Sequence, residues 1–244
     1  MKRSGNKREL GELKEQLFHE GEERNPHLDS ELGASRYIND ADRIKSFLSA
    51  GKILDWGCGL GQMSYLLKNR GLEVVSYDLD QSGRDFLARI GQTLILATDP
   101  VKLPFADGSF DAVLSSGVLE HVPDPAASLK EVARITKNDG YFFIFRLPNK
   151  YSYIEFISDR LGRGDHPVKY TRREIKGKLE QAGYEILYIN YKGFLPYNLK
   201  GFPEMIRRAY HRFDPLLEKI DAFMGACPMI NKLCTNIELV ARKK

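Results

Sequence analysis

The chain has 244 residues but only three cysteines, one tryptophan and no apolar run approaching the about 20 residues that a bilayer-crossing helix needs. Cys58, Cys227 and Cys234 are too few and too scattered for a disulfide framework or a cysteine-built zinc site, so reduced thiols and no metal are expected. The start, Met1 to Leu10, is basic with no apolar stretch behind it, which is not the pattern of a signal peptide, and a cytoplasmic location is expected. Charge of one sign is scarce as well. The 37 Lys and Arg against 33 Asp and Glu leave a net charge of +4, without the concentrated basic surface that phosphate-backbone binding uses, so no nucleic-acid partner is expected. Internal repeats and low-complexity tracts are also missing.

What is present is the composition of a folded protein, 42% hydrophobic and 29% charged, at a length that buries one sizeable core. Leu10, Leu13, Leu17 and Phe18 have helical spacing, so residues 8–20 predict an amphipathic helix; residues 22–36, with Pro26 and Gly33, predict a loop before a second helix from Tyr37 to Leu48. From Lys52 onward short apolar runs alternate with helical patterns: KILDWG, a helix from Gly61 to Arg70, EVVSYD, a helix from Ser82 to Ile90, TLILAT and then FDAVLSS. That alternation is the mark of βαβ units and a parallel sheet. Asp124 and Pro125 supply an N-cap and first-turn proline for a helix carrying Leu129, Val132, Ala133 and Ile135 on one face. Asp139 and Gly140 turn the chain into YFFIFRL, a fifth strand. Thr171 and Glu174 have capping-box spacing ahead of a helix that stops at Gly183, followed by YEILYINY and, after more than 30 residues of helical periodicity, by NIELVARKK as a last strand.

The sharpest local signal is ILDWGCGLG, where a strand runs into Gly57, Gly59 and Gly61 and a helix begins at once. Glycines there allow a tight turn and close approach of a ligand to the backbone. The dinucleotide fingerprint, G-x-G-x-x-G, would put glycine where Gln62 stands, and an NAD-dependent oxidoreductase is disfavoured on that ground. Asp55 inside the turn would repel a pyrophosphate but could pair with an ammonium group, which suits a zwitterionic cofactor.

This strand, D-x-G-x-G-x-G loop and helix resemble the first motif of the class I S-adenosylmethionine-dependent methyltransferases, and TDPVKLPFADGSFDAVLSSGVLEHVPDP resembles their adenine-site and fourth-strand region, especially at LPF, DGSFD and LEHV. The likeness covers Lys52 to Asn149 well and Pro167 to Gln181 loosely. It implies an α/β, Rossmann-like doubly wound seven-stranded sheet in the order 3-2-1-4-5-7-6 with the last strand antiparallel, N-terminal helices, and a helical insertion before the last strand. The division implied is a helical cap over 1–50, a cofactor-binding core over 51–195 and 234–244, and an insertion or lid over 196–233. The implied cofactor is S-adenosyl-L-methionine, with S-adenosyl-L-homocysteine as product. Carried over by position, Asp55, Gly57, Cys58, Gly59 and Gly61 would cradle its amino-acid part, Asp78 would bind the ribose hydroxyls, Leu79 would face the adenine, Asp99 would accept from the adenine amino group, and Ser116 would line the methionine side. Pro100 departs from the pattern, because a residue that usually offers its backbone N–H to the adenine has none here. Arg36 and Tyr37 could close over the methionine carboxylate, with packing of the second helix as the alternative.

Methyl transfer from a sulfonium is an in-line displacement from an already activated donor, so positioning supplies much of the catalysis and a hydroxyl acceptor adds only the need for a base. His121, in LEHV after the fourth strand, is the candidate base; the alternative is a backbone hydrogen bond that shapes the pocket. His166 and Tyr170, in GRGDHPVKY, either face the acceptor or sit on a surface loop. In the insertion, Phe202, Met205, Ile206, Ala209, Tyr210 and Phe213 share a stripe, and Lys192 to Lys219 carries six Lys or Arg against three Asp or Glu. Core packing, a lid, or a peripheral membrane contact through residues 194–224 are the three readings of that segment. The function implied is methyl transfer to a small-molecule acceptor, with oxygen preferred and a lipid, glycan or metabolite as the class. The alternative is a cofactor-binding regulatory module without turnover.

Overall fold

The computed structural model describes residues 11–13, 15, 31–164, 166–196, 199 and 203–244. Its centre is a seven-stranded sheet: β1 (Lys52–Trp56), β2 (Glu73–Asp78), β3 (Leu94–Leu96), β4 (Phe110–Ser116), β5 (Thr136–Pro148), β6 (Tyr184–Lys192) and β7 (Asn236–Lys243), in the order β3-β2-β1-β4-β5-β7-β6. The first five pair in parallel and β7 runs antiparallel to both β5 and β6, so the expected sheet is the observed one.

Alternation along the central strands sorts the core into two layers. Ile53, Ala112, Leu114, Phe143 and Phe145 face one side, where α1 (Glu31–Phe47), α2 (Gln62–Asn69) and α3 (Arg84–Arg89) deliver Ile38, Ile44, Leu66 and Leu87. Leu54, Val113, Phe142 and Ile144 face the other, against Leu129 and Val132 of α4 (Pro125–Ile135) and Ile175 and Leu179 of α6 (Arg172–Gln181). A sheet buried on both faces is what near-continuous apolar strands require, and each side chain of this kind contributes roughly 1.5–3 kcal/mol by leaving water.

Local chemistry sets the element ends. The Asp124 carboxylate accepts from the backbone N–H groups of Ala126 and Ala127 at 3.0 Å, with Pro125 in the first turn of α4. Thr171 and Glu174 close both halves of the expected capping box on α6.

Three expectations are corrected. The helix expected from Tyr37 begins at Glu31, because Gly33 and Ala34 pack inward and that burial outweighs the roughly 1 kcal/mol helical cost of a glycine. Asp139 and Gly140 do not separate a helix from a strand: α4 runs straight into β5 at Thr136, and Asp139, at φ 60°, sits in a stretch whose register against β4 shifts. The insertion stripe is not core. On α7 (Glu204–His211) no residue is buried, and Met205 and Phe213 are 79% and 57% exposed. The remaining helices are α5 (Tyr153–Arg160) and α8 (Asp214–Ala226), the latter opening at Asp214 and Pro215 as expected. Of the helix expected over 8–20, Leu13 is fully buried, while Leu10, Leu17 and Phe18 lie outside the described residues, as does Phe202 of the stripe.

Candidate functional site

The glycine loop joins β1 to α2 at the carboxyl edge of the sheet, next to the point where the strand order reverses between β1 and β4, which is where open α/β sheets bind ligands. Gly57 has φ 72°, and a Cβ there would stand 2.3 Å from Val118 Cγ2, so only glycine lets the turn pass beneath the loop after β4. A Cβ at Gly59 would meet nothing within 4 Å, leaving the top of the loop open for a ligand to approach. Gly61 caps α2. The loop is tied to β2: the N–H groups of Gly57 and Cys58 donate to the Tyr77 carbonyl, and that of Gly59 donates to Asp78 Oδ2 at 2.7 Å.

Asp78 therefore has two tasks, since its Oδ1 also accepts from the Asp80 N–H at 2.9 Å. A carboxylate oxygen has capacity for more than one donor, which leaves Asp78 able to receive a diol while it holds the loop. Leu79 beside it is 63% exposed. A cavity lined by Trp56, Tyr77, Leu79, Ala97, Pro100 and Val122 opens there, with Asp78 and Asp99 at its edges. The buried Tyr77 hydroxyl has no hydrogen-bond partner among the described residues. Asp99 Oδ1 accepts from the N–H groups of Val101 and Lys102, both at 2.8 Å, and those bonds hold its carboxyl below the usual range. Pro100 contributes its ring to the lining in place of an N–H. An apolar slot that also has two carboxylates in its lining fits an adenosine, with apolar walls for the rings and acids for the diol and amino group.

The other expected cofactor residues are placed less directly. Asp55 lies under the turn, almost fully buried, and its Oδ2 accepts from Ser64 Oγ at 2.6 Å; burial raises its carboxyl to about 6. Cys58 points into the core, where burial pushes its thiol up, so only its backbone borders the loop. Ser116 and Tyr37 meet a residue the sequence reading missed. Arg146, with φ 56° in β5, donates to Ser116 Oγ at 2.6 Å and to Asp40 Oδ2 at 2.8 Å, and its guanidinium lies 3.7 Å from the centre of the Tyr37 ring. Arg36 reaches instead to the insertion, donating to Asp221 Oδ2 at 2.9 Å, while Asp221 Oδ1 accepts from the Leu195 N–H. That pairing clamps α8 to α1, and Arg36 lines a small cavity with Tyr37, Asp40 and Arg146.

His121 is exposed and lines the same cavity as Asp78 and Asp99, and its ring centre is 6.0 Å from that of His166. His166 Nδ1 is 3.0 Å from Glu155 Oε2. Glu120 is 1% exposed, and burial raises its carboxyl to about 7. Tyr170, expected on a loop that faces solvent or the acceptor, is buried and donates to the Leu119 carbonyl at 3.2 Å. Its place is set by an isolated bridge to Asn149, a long-range contact with no local signature. Glu120, Glu155 and Asp40 also escaped the sequence reading. Arg146 had one available signal, its position at the carboxyl end of a core strand.

Residues 54–144 match the family described as "Methyltransferase domain". A ubiquinone biosynthesis O-methyltransferase of Nitrosomonas europaea is 32% identical over 53% of this chain and 60% of its own length, and one of Pseudomonas aeruginosa strain LESB58 is 32% identical over 57% and 66%. The chain thus spans less than two thirds of these relatives. Among solved structures, a SAM-dependent methyltransferase of Archaeoglobus fulgidus superimposes with a TM-score of 0.60 at 19% identity, covering 86% of this chain and 93% of that one. The cyclase SpnF gives 0.62 at 18% identity, covering 96% and 94%. One fold therefore carries two chemistries, and the likeness to these structures establishes architecture alone.

Proposed function

We propose that the chain is a class I S-adenosylmethionine-dependent methyltransferase that transfers the methyl group of that cofactor to a hydroxyl of a small, partly apolar acceptor. The observation that carries this reading is the cavity between the glycine loop and the loop after β4, apolar on its walls with Asp78 and Asp99 at its edges. Asp78, Leu79 and Asp99 would hold the adenosine there, and Gly59, Ser116, Tyr37 and Arg146 would hold the methionine part, the positive charge of Arg146 offsetting its carboxylate. When bound, the cofactor supplies an electrophilic methyl group. The chain's residues orient it, exclude water and receive the acceptor's proton at the cluster of Glu120, His121 and His166, in which His121 lines the cavity.

Oxygen as the acceptor atom is supported by the names of the curated relatives. An amphiphilic acceptor taken from an anionic lipid surface is supported by the insertion, where Met205, Ile206, Phe213, Leu216 and Phe223 are exposed and Arg207, Arg208, Arg212 and Lys219 outnumber the exposed acids Glu204 and Glu218, Asp214 and Asp221 being turned inward. Among the described residues no helix is long and apolar enough to cross a membrane.

Two measurements test the reading. Calorimetry should show one molecule of S-adenosylmethionine bound per chain, and methyl-labelled cofactor supplied with a lipid extract should place label in the organic phase. Binding without any transfer would leave the regulatory-module alternative standing; absence of binding removes the proposal. Flotation with phosphatidylserine vesicles, lost on Phe223→Asp, tests the lipid surface.

A further inference from the structure

Beyond the cofactor slot the structure gathers three metal-ligating side chains from two separate segments. Glu120 and His121 follow β4, and His166 lies between α5 and α6, yet one ligand atom from each lies within 4.8 Å of the others. Two features mark this cluster out from a chance surface grouping. Glu120 Oε2 is buried and has no hydrogen-bond partner among the described residues, an arrangement that is costly unless something positive meets it. His166 Nδ1 is held by Glu155, itself almost buried, which is anchored at the capped start of α5 and also paired with Lys169 at 3.5 Å. A carboxylate behind one imidazole nitrogen fixes the ring and raises the basicity of the other nitrogen, as the outer partners of metal-binding histidines do.

We propose that Glu120, His121 and His166 hold a divalent transition-metal ion at the acceptor end of the cavity, with Glu155 orienting His166. Two imidazoles and one carboxylate suit manganese, iron, cobalt or zinc better than calcium or magnesium. Ligand atoms about 2.1 Å from one such ion stand about 3.4 Å apart in a tetrahedral set, so the cluster, whose ligand atoms lie within 4.8 Å of one another, closes around it by drawing each pair together by up to about an ångström and a half. Three protein ligands leave positions open, and His121 already faces the cavity.

The inference rests on the reading of the acceptor as a hydroxyl and gives that hydroxyl its place. Coordinated oxygen loses its proton to solvent more readily, and the resulting oxyanion attacks the methyl carbon. The O–C bond forms, the C–S bond breaks, and its electron pair stays on sulfur as neutral S-adenosylhomocysteine. His121 then acts as a ligand, with the ion in place of its imidazole supplying the acidity that the proton transfer needs.

The test uses the full chain, stripped with chelator and titrated with Mn(II) alone, followed by electron paramagnetic resonance and calorimetry; Co(II) in parallel reports nitrogen ligation through its visible absorption. One equivalent should bind. Glu120→Gln and His166→Asn should each weaken it at least about 10-fold and Glu155→Gln by about 10-fold, the scale of outer-partner losses, with S-adenosylmethionine titration serving as the check that each variant is folded. No metal binding by a wild-type chain that binds S-adenosylmethionine overturns this site and leaves the proposed function intact. Binding unchanged in all three variants overturns it too, since the ion then sits elsewhere. Failure to bind S-adenosylmethionine is a failure of the proposed function.

Discussion

The two ends of the proposed cofactor site are built in opposite ways. At the adenosine end, nearly every contact is local or joins neighbouring strands: the glycine loop follows β1, Asp78 ends β2 nineteen residues on, and the Gly59 N–H to Asp78 bond closes the two together. At the methionine end, Arg146 of β5 meets Asp40 of α1 from 106 residues away and Ser116 from 30, and Arg36 meets Asp221 from 185. The first end depends on backbone conformation, which a short motif can encode. The second depends on charged side chains brought together by the finished fold, and these must be matched in pairs to be tolerated at such burial.

The largest expected effect breaks the adenosine end. In Gly57→Ala the new Cβ meets Val118 Cγ2 at 2.3 Å in a left-handed conformation, and both problems must be relieved by moving the loop. A loss of about 2–4 kcal/mol and no calorimetric signal for S-adenosylmethionine are expected. Adding Val118→Ala should restore part of the stability, since it removes the contact but not the strain. Equal stability of the single and double variants would show that the backbone, not the packing, sets the turn.

That contrast also explains what the sequence made legible. ILDWGCGLG, YDLD and LPF each carry their meaning within a few residues, and the strand order followed from a familial likeness that the sheet bears out. The start of α1 was misplaced because Gly33 reads as a loop residue until the surface it packs against is known. Tyr170 read as a loop residue for the same reason. Arg146 stood in plain view in FRLPN, but no local pattern says that its guanidinium will find Tyr37, Asp40 and Ser116. The exposed stripe of α7 is the reverse case: the amphipathic pattern was legible, and only the fold showed that nothing in the chain covers it among the described residues.

A smaller effect sharpens the methionine end. Arg146→Ala removes the cation over Tyr37 and leaves the Asp40 carboxylate, 5% exposed, without its partner at 2.8 Å. Cofactor affinity should fall about 10–100-fold, the worth of one charge-assisted contact of roughly 1.5–3 kcal/mol. Arg146→Lys should recover less than half of that free energy, because an ammonium cannot address Ser116 and Asp40 as a planar fork does. Full recovery with lysine would show that charge alone matters there.

The smallest effect is a pH dependence that Asp40 brings to that end. Burial, and then Glu238 of β7, raise the Asp40 carboxyl to about 7, against the opposing pull of Arg146 from β5, Arg43 from α1 and Lys192 from β6. A folded-state value above the unfolded one means that this group contributes its stability in full below about pH 4 and loses it as pH rises through 7. The wild-type melting temperature should therefore decline between pH 5.5 and 8 by a few degrees more than that of Asp40→Asn, whose side chain keeps the shape but does not titrate. Glu238→Gln should flatten the decline in the same sense, by lowering the Asp40 value toward the ordinary carboxylate range. Because Asp40 is the partner of Arg146, S-adenosylmethionine affinity should respond to pH over the same interval in the wild type and not in Asp40→Asn. Asp99, held below the usual range by two backbone donors, should add nothing to the pH response of adenosine binding over that interval, so any response there falls to Asp55, raised to about 6. A pH response for adenosine alone that disappears in Asp40→Asn would mean that the two ends are not separable after all.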